Sequence, residues 1–271
     1  MKDPLAFLPA DSEIVIDADL SRVKSSALWR HVEPIVYGHA GEDLARFREL
    51  CGFDPLAQLG RVTFAMRGLD APRATGVFVL RGLDKKGTMG CLKKNLTAER
   101  RIKIYNDNIA YVQPELGEDP VAFGFANDRT LVVLVGPTAS PTELTKVFAA
   151  GAPLRKSAAF QALYKQIEPN REVWFVMNAK NAFARLAELG VQTRTLTGAI
   201  SLANGVQATL RMRVASPDQA REVAAALQSA FSQGSLVDNI KVSSEQSDIV
   251  GHVTMSESQV AALTETENES R

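Results

Sequence analysis

The chain has 271 residues, 45% apolar and 23% charged, with 31 basic against 31 acidic side chains. A chain of this length buries roughly 75% of the surface its unfolded form exposes, and the composition is that of a globular protein, which excludes a disordered or fibrous class. The zero net charge removes the whole-chain electrostatic argument for a nucleic-acid or membrane-surface partner and leaves only local patches to weigh.

No run of about 18 predominantly apolar residues occurs, so no transmembrane segment is expected. Met1-Lys2-Asp3-Pro4 leads into a short apolar patch that lacks the long apolar run and small-residue cleavage site of a secretory signal. The protein is therefore expected to be cytosolic, or a chain from which a signal was removed.

In chain order, Ser12 to Leu20 reads as a half-buried strand, with Ile14, Ile16, Ala18 and Leu20 alternating with Val15, Asp17 and Asp19. Ser25 or Ser26 then caps a helix carrying Leu28, Val32, Ile35 and Val36, with Pro34 bending or ending it, and a second helix covers Glu42 to Leu50. Val62 to Arg67 and Gly76 to Arg81 read as strands joined by a hairpin loop at Gly68-Leu69-Asp70-Ala71-Pro72. Asp84 caps a short helix containing Cys91, and Ile102 to Tyr105 with Ile109 to Val112 form a hairpin around Asn106-Asp107-Asn108.

Val121 to Ala126 presents a small face, Ala122, Gly124 and Ala126, that lets a helix approach, and Thr130 to Val135 is apolar on both faces like a central strand. Ser140-Pro141-Thr142-Glu143 is a capping box with proline at the first helical position, and Gly151 is its stop. The same grammar recurs at Ser216-Pro217-Asp218-Gln219, opening a helix that runs through Phe231 before Gly234. Trp29, Trp174 and the run Val223 to Leu227 read as core.

The two halves repeat this order of elements, which points to duplication. Glu13 to Leu20 matches Glu172 to Asn178; Leu59 to Phe64 matches Thr197 to Leu202; Gly76 to Gly82 matches Ala208 to Val214; Ile102-Lys103-Ile104 matches Ile240-Lys241-Val242. The expected fold class is α+β: two pseudo-repeated units of mostly antiparallel sheet with helices packed on one face. The expected organisation is a first repeat over 9–118, bridging strands and helices over 119–171, a second repeat over 172–263, and a disordered tail over 264–271.

No catalytic constellation stands out. Asp17 and Asp19, about 7 Å apart along a strand, have the spacing of a carboxylate pair for acid and base work or for holding a cation, but such a pair arises easily by chance and a solvated polar strand face explains it without chemistry. His31, His39 and His252 show no ligand spacing, and neither a nucleophile elbow nor a phosphate loop is present, so no metal and no cofactor are expected.

The segment from Arg81 to Lys103 is locally basic: Arg81, Lys85, Lys86, Lys93, Lys94, Arg100, Arg101 and Lys103 stand against Asp84 and Glu99. It is a candidate patch for an anionic ligand. With only Tyr105 nearby to stack on a base, nucleic acid is a poor fit.

Cys51 and Cys91 do not form a Cys-x-x-Cys motif. They are either buried free thiols or a bridge whose loop contributes about 4 kcal/mol in the chain-entropy model, as suits an extracytoplasmic protein.

Pro9-Ala10-Asp11-Ser12 leading into a strand, then Cys51-Gly52-Phe53-Asp54-Pro55-Leu56, then Cys91, resembles uncharacterised bacterial cell-envelope proteins, many of them lipoproteins of myxobacterial type. The likeness covers the first third of the chain, and the second half only through its alternation of strands and helices. It implies export, a Cys51–Cys91 disulfide and no enzymatic activity, although a signal or lipobox is absent from this sequence.

The functional expectation is a non-enzymatic extracytoplasmic binding or scaffold protein, periplasmic or anchored to the outer membrane as a mature fragment, with an envelope protein or an anionic molecule as partner. The alternatives are an enzyme of unrecognised type and a cytosolic nucleic-acid-binding protein using segment 81–103. Ligand and oligomeric state are not legible.

Overall fold

The computed structural model describes residues 3–95, 102–178, 183, 187–188, 190–232 and 239–262. The expected tail at 264–271, Gly234, Arg100 and Arg101 lie outside these residues. The chain divides into two compact units, Met1–Ser21 with Tyr37–Gln161, and Arg22–Val36 with Ala162–Arg271.

In chain order the first elements are β1 (Ile14–Ala18), α1 (Leu20–Ser25), α2 (Trp29–Cys51), α3 (Pro55–Gln58), β2 (Arg61–Arg67), β3 (Thr75–Arg81) and α4 (Lys85–Asn95). They are followed by β4 (Ile102–Tyr105), β5 (Ile109–Val112), β6 (Val121–Asn127), β7 (Thr130–Val135), α5 (Pro141–Ala149) and α6 (Ala158–Tyr164). The sheet of the first unit has the order β1-β2-β3-β7-β6-β5-β4, every neighbour antiparallel. β6 and β7, expected in a bridging segment, are thus internal strands of the first unit; apolar on both faces, β7 takes a flanked position between β3 and β6.

The second unit contains β8 (Val173–Met177), β9 (Thr193–Ser201), β10 (Val206–Val214), α7 (Pro217–Ser232), β11 (Asn239–Glu245) and β12 (Asp248–Met255), in the sheet order β8-β9-β10-β12-β11. Its neighbours are again antiparallel.

Register relates the two units more closely than sequence does. Ile14, Met66, Gly76, Val135 and Val121 lie opposite one another across β1, β2, β3, β7 and β6. Val173, Ile200, Ala208, Val253 and Ile240 form the corresponding row across β8, β9, β10, β12 and β11. This keeps the matches of Glu13 with Glu172 and of Gly76 with Ala208. It shifts the β2 match by four residues, an even number that preserves faces. It also replaces the fourth match, because β11 takes the place of β6 and the β4–β5 hairpin is an addition to the first unit's edge.

One polar contact recurs with the register. Glu13 Oε2 accepts the Leu69 N–H at 2.8 Å, and Glu172 Oε2 accepts the Leu202 N–H at 3.0 Å, so a carboxylate at each strand entrance pins the turn beyond the next strand.

Local signals in the sequence hold where they are backbone chemistry. Ser140 Oγ accepts the Glu143 N–H and Ser216 Oγ the Gln219 N–H, both at 3.2 Å, while Gln219 reaches back to the Ala215 N–H. Asn106 and Asp107 take φ of 49° and 55° in the β4–β5 turn. Pro34, however, neither ends nor splits a helix: α2 is continuous through it. The ring removes one hydrogen bond near the helix start, and the turns beyond retain theirs.

In the first unit α4 covers one face with Leu83, Met89 and Leu92 against Phe125 and Leu131. The other face is covered too. Val15, Ala65, Val77, Leu134 and Ala122 form a wholly buried row there, Phe7 meets Phe148 of α5 edge-to-face, and α5 comes so close that a Cβ on Gly124 would sit 3.1 Å from Leu144.

In the second unit α7 packs Ala220 and Ala224 against Val214 and Ile249. Trp174 is core, as expected, but Trp29 is half-buried and Ala225 and Ala226 are exposed.

The face of β1 is the reverse of the expectation. Val15 and Asp17 point into the core, and Ile16 is 38% exposed. Asp17 is buried at 1% exposure because β2 supplies its partners: Arg61 Nε and Nη2 at 2.9 and 2.7 Å and Thr63 Oγ1 at 2.6 Å. At the corresponding places in the second unit stand Val176 and Thr197. Among the described residues the buried Thr197 hydroxyl has no hydrogen-bond partner, as follows when valine replaces the carboxylate.

Thr63→Val should therefore cost about 1–3 kcal/mol, whereas Thr197→Val should be neutral within about 0.5 kcal/mol or stabilising. Urea unfolding measures both, and equal losses would contradict the assignment.

Candidate functional site

Cys51, at the end of α2, and Cys91, in α4, form a disulfide with their Cα atoms 5.2 Å apart. Beside it Phe47 and Phe53 pack edge-to-face, and Leu50 and Leu59 join the apolar cluster beneath α4. The bridge fixes the end of a long helix to the helix that seals the first unit's sheet.

The basic segment does not gather into a field of one sign. Lys85, Lys86 and Lys93 line an open hollow of about 660 Å³ together with Asp84, Asp107 and Asp128. Lys93 Nζ stands 2.6 Å from Asp107, and its hydrogen bond and charge lower the Asp107 pKa. Lys94 and Lys103 are exposed, Arg81 is half-buried opposite Arg61, and Arg100 and Arg101 fall outside the described residues. Counting charges along 81–103 overlooks Asp107 and Asp128, which the fold brings in from outside the segment.

Asp17 and Asp19 do not make an acid and base pair. Asp17 is held by Arg61 and Thr63, and β1 ends at Ala18, before Asp19. His31 Nε2 lies 3.6 Å from Glu257, and His252 Nδ1 lies 3.3 Å from the Thr209 hydroxyl; the His39 side chain is outside the described residues.

Two features of the second unit escape sequence reading. The first is an ionic cluster at the β10–β12 end. Asp248, nearly buried, receives Arg213 Nε at 2.7 Å and Arg211 Nη1 at 3.0 Å, and Arg211 also reaches Glu245 at 2.8 Å. Burial raises the Asp248 pKa, but the two guanidinium groups outweigh it and hold the carboxyl below its ordinary range. Its residues come from three strands, β10, β11 and β12, and only the register aligns them.

The second is an apolar cavity of about 260 Å³ between the C-terminal half of α7 and the sheet. Leu210, Met212, Ile249, Gly251 and Val253 form its floor, and Leu227 and Phe231 of α7 its wall; every lining residue among the described ones is apolar. The available signal was the pair Gly198 and Gly251 inside strands, where glycine marks a close approach of backbone or ligand.

The fold and these sites define an α+β protein of two related antiparallel units, one disulfide-bonded and one with an apolar cavity. No family model matches the chain, and no curated protein does. It is similar to the structure of crystal form III of TP0453, with a TM-score of 0.60 over 98% of this chain and 99% of that one, at 11% sequence identity. That likeness shows the fold.

The Asp248 cluster has a pH signature. Since its folded pKa lies below the unfolded value of about 3.9, its stabilisation is present above roughly pH 4 and lost as pH falls through the folded pKa. Asp248→Asn should cost roughly 1–3 kcal/mol at neutral pH and flatten the acid limb of the stability curve. Urea titrations between pH 7 and 3 measure it, and an unchanged acid limb in the variant would contradict the assignment.

Proposed function

We propose that the chain is a non-enzymatic, extracytoplasmic binding or scaffold protein of a bacterial envelope, periplasmic or anchored to the outer membrane. The observation that carries this reading is the Cys51–Cys91 bridge. Disulfides persist in oxidising compartments and are rare in the cytosol of mesophiles. The resemblance of the Pro9–Ser12 and Cys51–Leu56 segments to envelope proteins supports the same compartment.

The binding role draws on where open space and charge are found. The carboxylate pair weighed for acid and base work, Asp17 and Asp19, is not assembled for it, since Asp17 is committed to Arg61 and Thr63. A polyanion reading is weakened by the aspartates among the lysines of the α4 hollow. The apolar cavity in the second unit is the feature best suited to a ligand.

Protein isolated from its native host under thiol-blocking conditions should carry no alkyl adduct at Cys51 or Cys91 by intact mass, and two adducts would overturn the proposal. Reduction in vitro should remove about 4 kcal/mol of stability, on the chain-entropy estimate for a loop of this separation. Paired urea curves with and without reductant measure that loss.

A further inference from the structure

The register equates a row of the first unit, Ile16, Phe64, Phe78, Val133 and Phe123, with Phe175, Gly198, Leu210, Gly251 and Val242 in the second. Two bulky positions, Phe64 and Val133, are thus glycine in the second unit. Their fates differ. The space at Gly198 is filled by its neighbours, because a Cβ there would lie 2.7 Å from the Phe175 ring and 2.9 Å from Leu210. At Gly251, among the described residues, a Cβ would meet only Leu210, at 3.9 Å, and the cavity lies over it.

The helix above is built to match. α7 closes on the sheet through Ala220 and Ala224, Leu227 packs against the same cluster, and Leu227 and Phe231 line the cavity, Phe231 being 38% exposed near the helix's outer end. Gln228 Oε1 accepts the Val242 N–H at 2.7 Å and ties this outer half to β11. The first unit shows that valine is accommodated at the equivalent place in this architecture, so the hollow over Gly251 is particular to the second.

We infer that this cavity binds one unbranched alkyl chain, whose polar end stays in water at the open side. This deepens the binding reading by naming a ligand class and makes no use of export. Among the described residues the lining offers no donor, acceptor or charge, which selects for apolar groups over a headgroup. At about 30 Å³ for a water-sized group, 260 Å³ takes about nine methylenes. Such a chain is carried by a free fatty acid or alcohol and by the acyl chain of a membrane lipid.

The test uses the full chain and a fluorescent probe with a free alkyl end, N-decyl dansylamide, displaced by decanoate, by 1-decanol or by phosphatidylcholine vesicles. Decanoate and 1-decanol should compete at affinities within about threefold of each other, since no lining group contacts the headgroup. Competition by vesicles as well assigns the chain to membrane lipid, and competition by the free amphiphiles alone assigns it to a soluble one; both uphold the site.

Gly251→Val should weaken binding by about tenfold or more without lowering Tm, and Gly251→Ala, the gentler change, should give a smaller loss. No binding by the wild-type chain overturns the inference. So does unaltered binding by a folded Gly251→Val, or, if that variant fails to fold, by Gly251→Ala. Neither result touches the Cys51–Cys91 reading, and free thiols would leave the cavity standing.

Discussion

The constraint on which the rest of the structure depends is antiparallel register. Once Ile14 faces Met66 and Val173 faces Ile200, the two-residue period of a strand decides which side chains share a face for every strand that follows. The ladder places Asp17 beside Thr63, Arg213 opposite Asp248, and Gly251 beside Leu210. Each of these pairings is far apart in the chain, and each determines a local chemistry: a buried ion pair, an acid-sensitive cluster, a cavity.

What could be read directly from the sequence was local. Proline-led capping boxes, the turn at Asn106 and Asp107, the small face of β6 and the doubly apolar β7 all depend on a few neighbouring residues, and they appear as expected. Face assignment in β1 failed for a tertiary reason: an aspartate goes inward when an arginine and a threonine on the next strand pair with it, and Ile16 is then left half-exposed. The continuity of α2 through Pro34 was missed because one lost hydrogen bond is a small penalty for a helix of that length.

The candidate sites divide in the same way. The cysteines were visible as residues, and their pairing became a fact only in three dimensions. The basic segment shares its hollow with aspartates from elsewhere in the chain, because charge along a chain says little about charge in space. The cavity had a faint signal, glycine within strands, that becomes legible only when the two units are laid row on row and Gly251 is found where the first unit has Val133.

Two related units have thus diverged in complementary directions. The first is filled on both faces, extended by a hairpin and closed by a disulfide between α2 and α4. The second shows five strands among its described residues, lacks the carboxylate that Thr197 would have served, and opens a space beneath α7. The most direct test is a crystal of the intact chain pressurised with xenon, which occupies dry apolar cavities. The account predicts a xenon peak over Gly251, between Leu210 and Phe231. Leu227 or Phe231 collapsed into that space, with no peak, would contradict it.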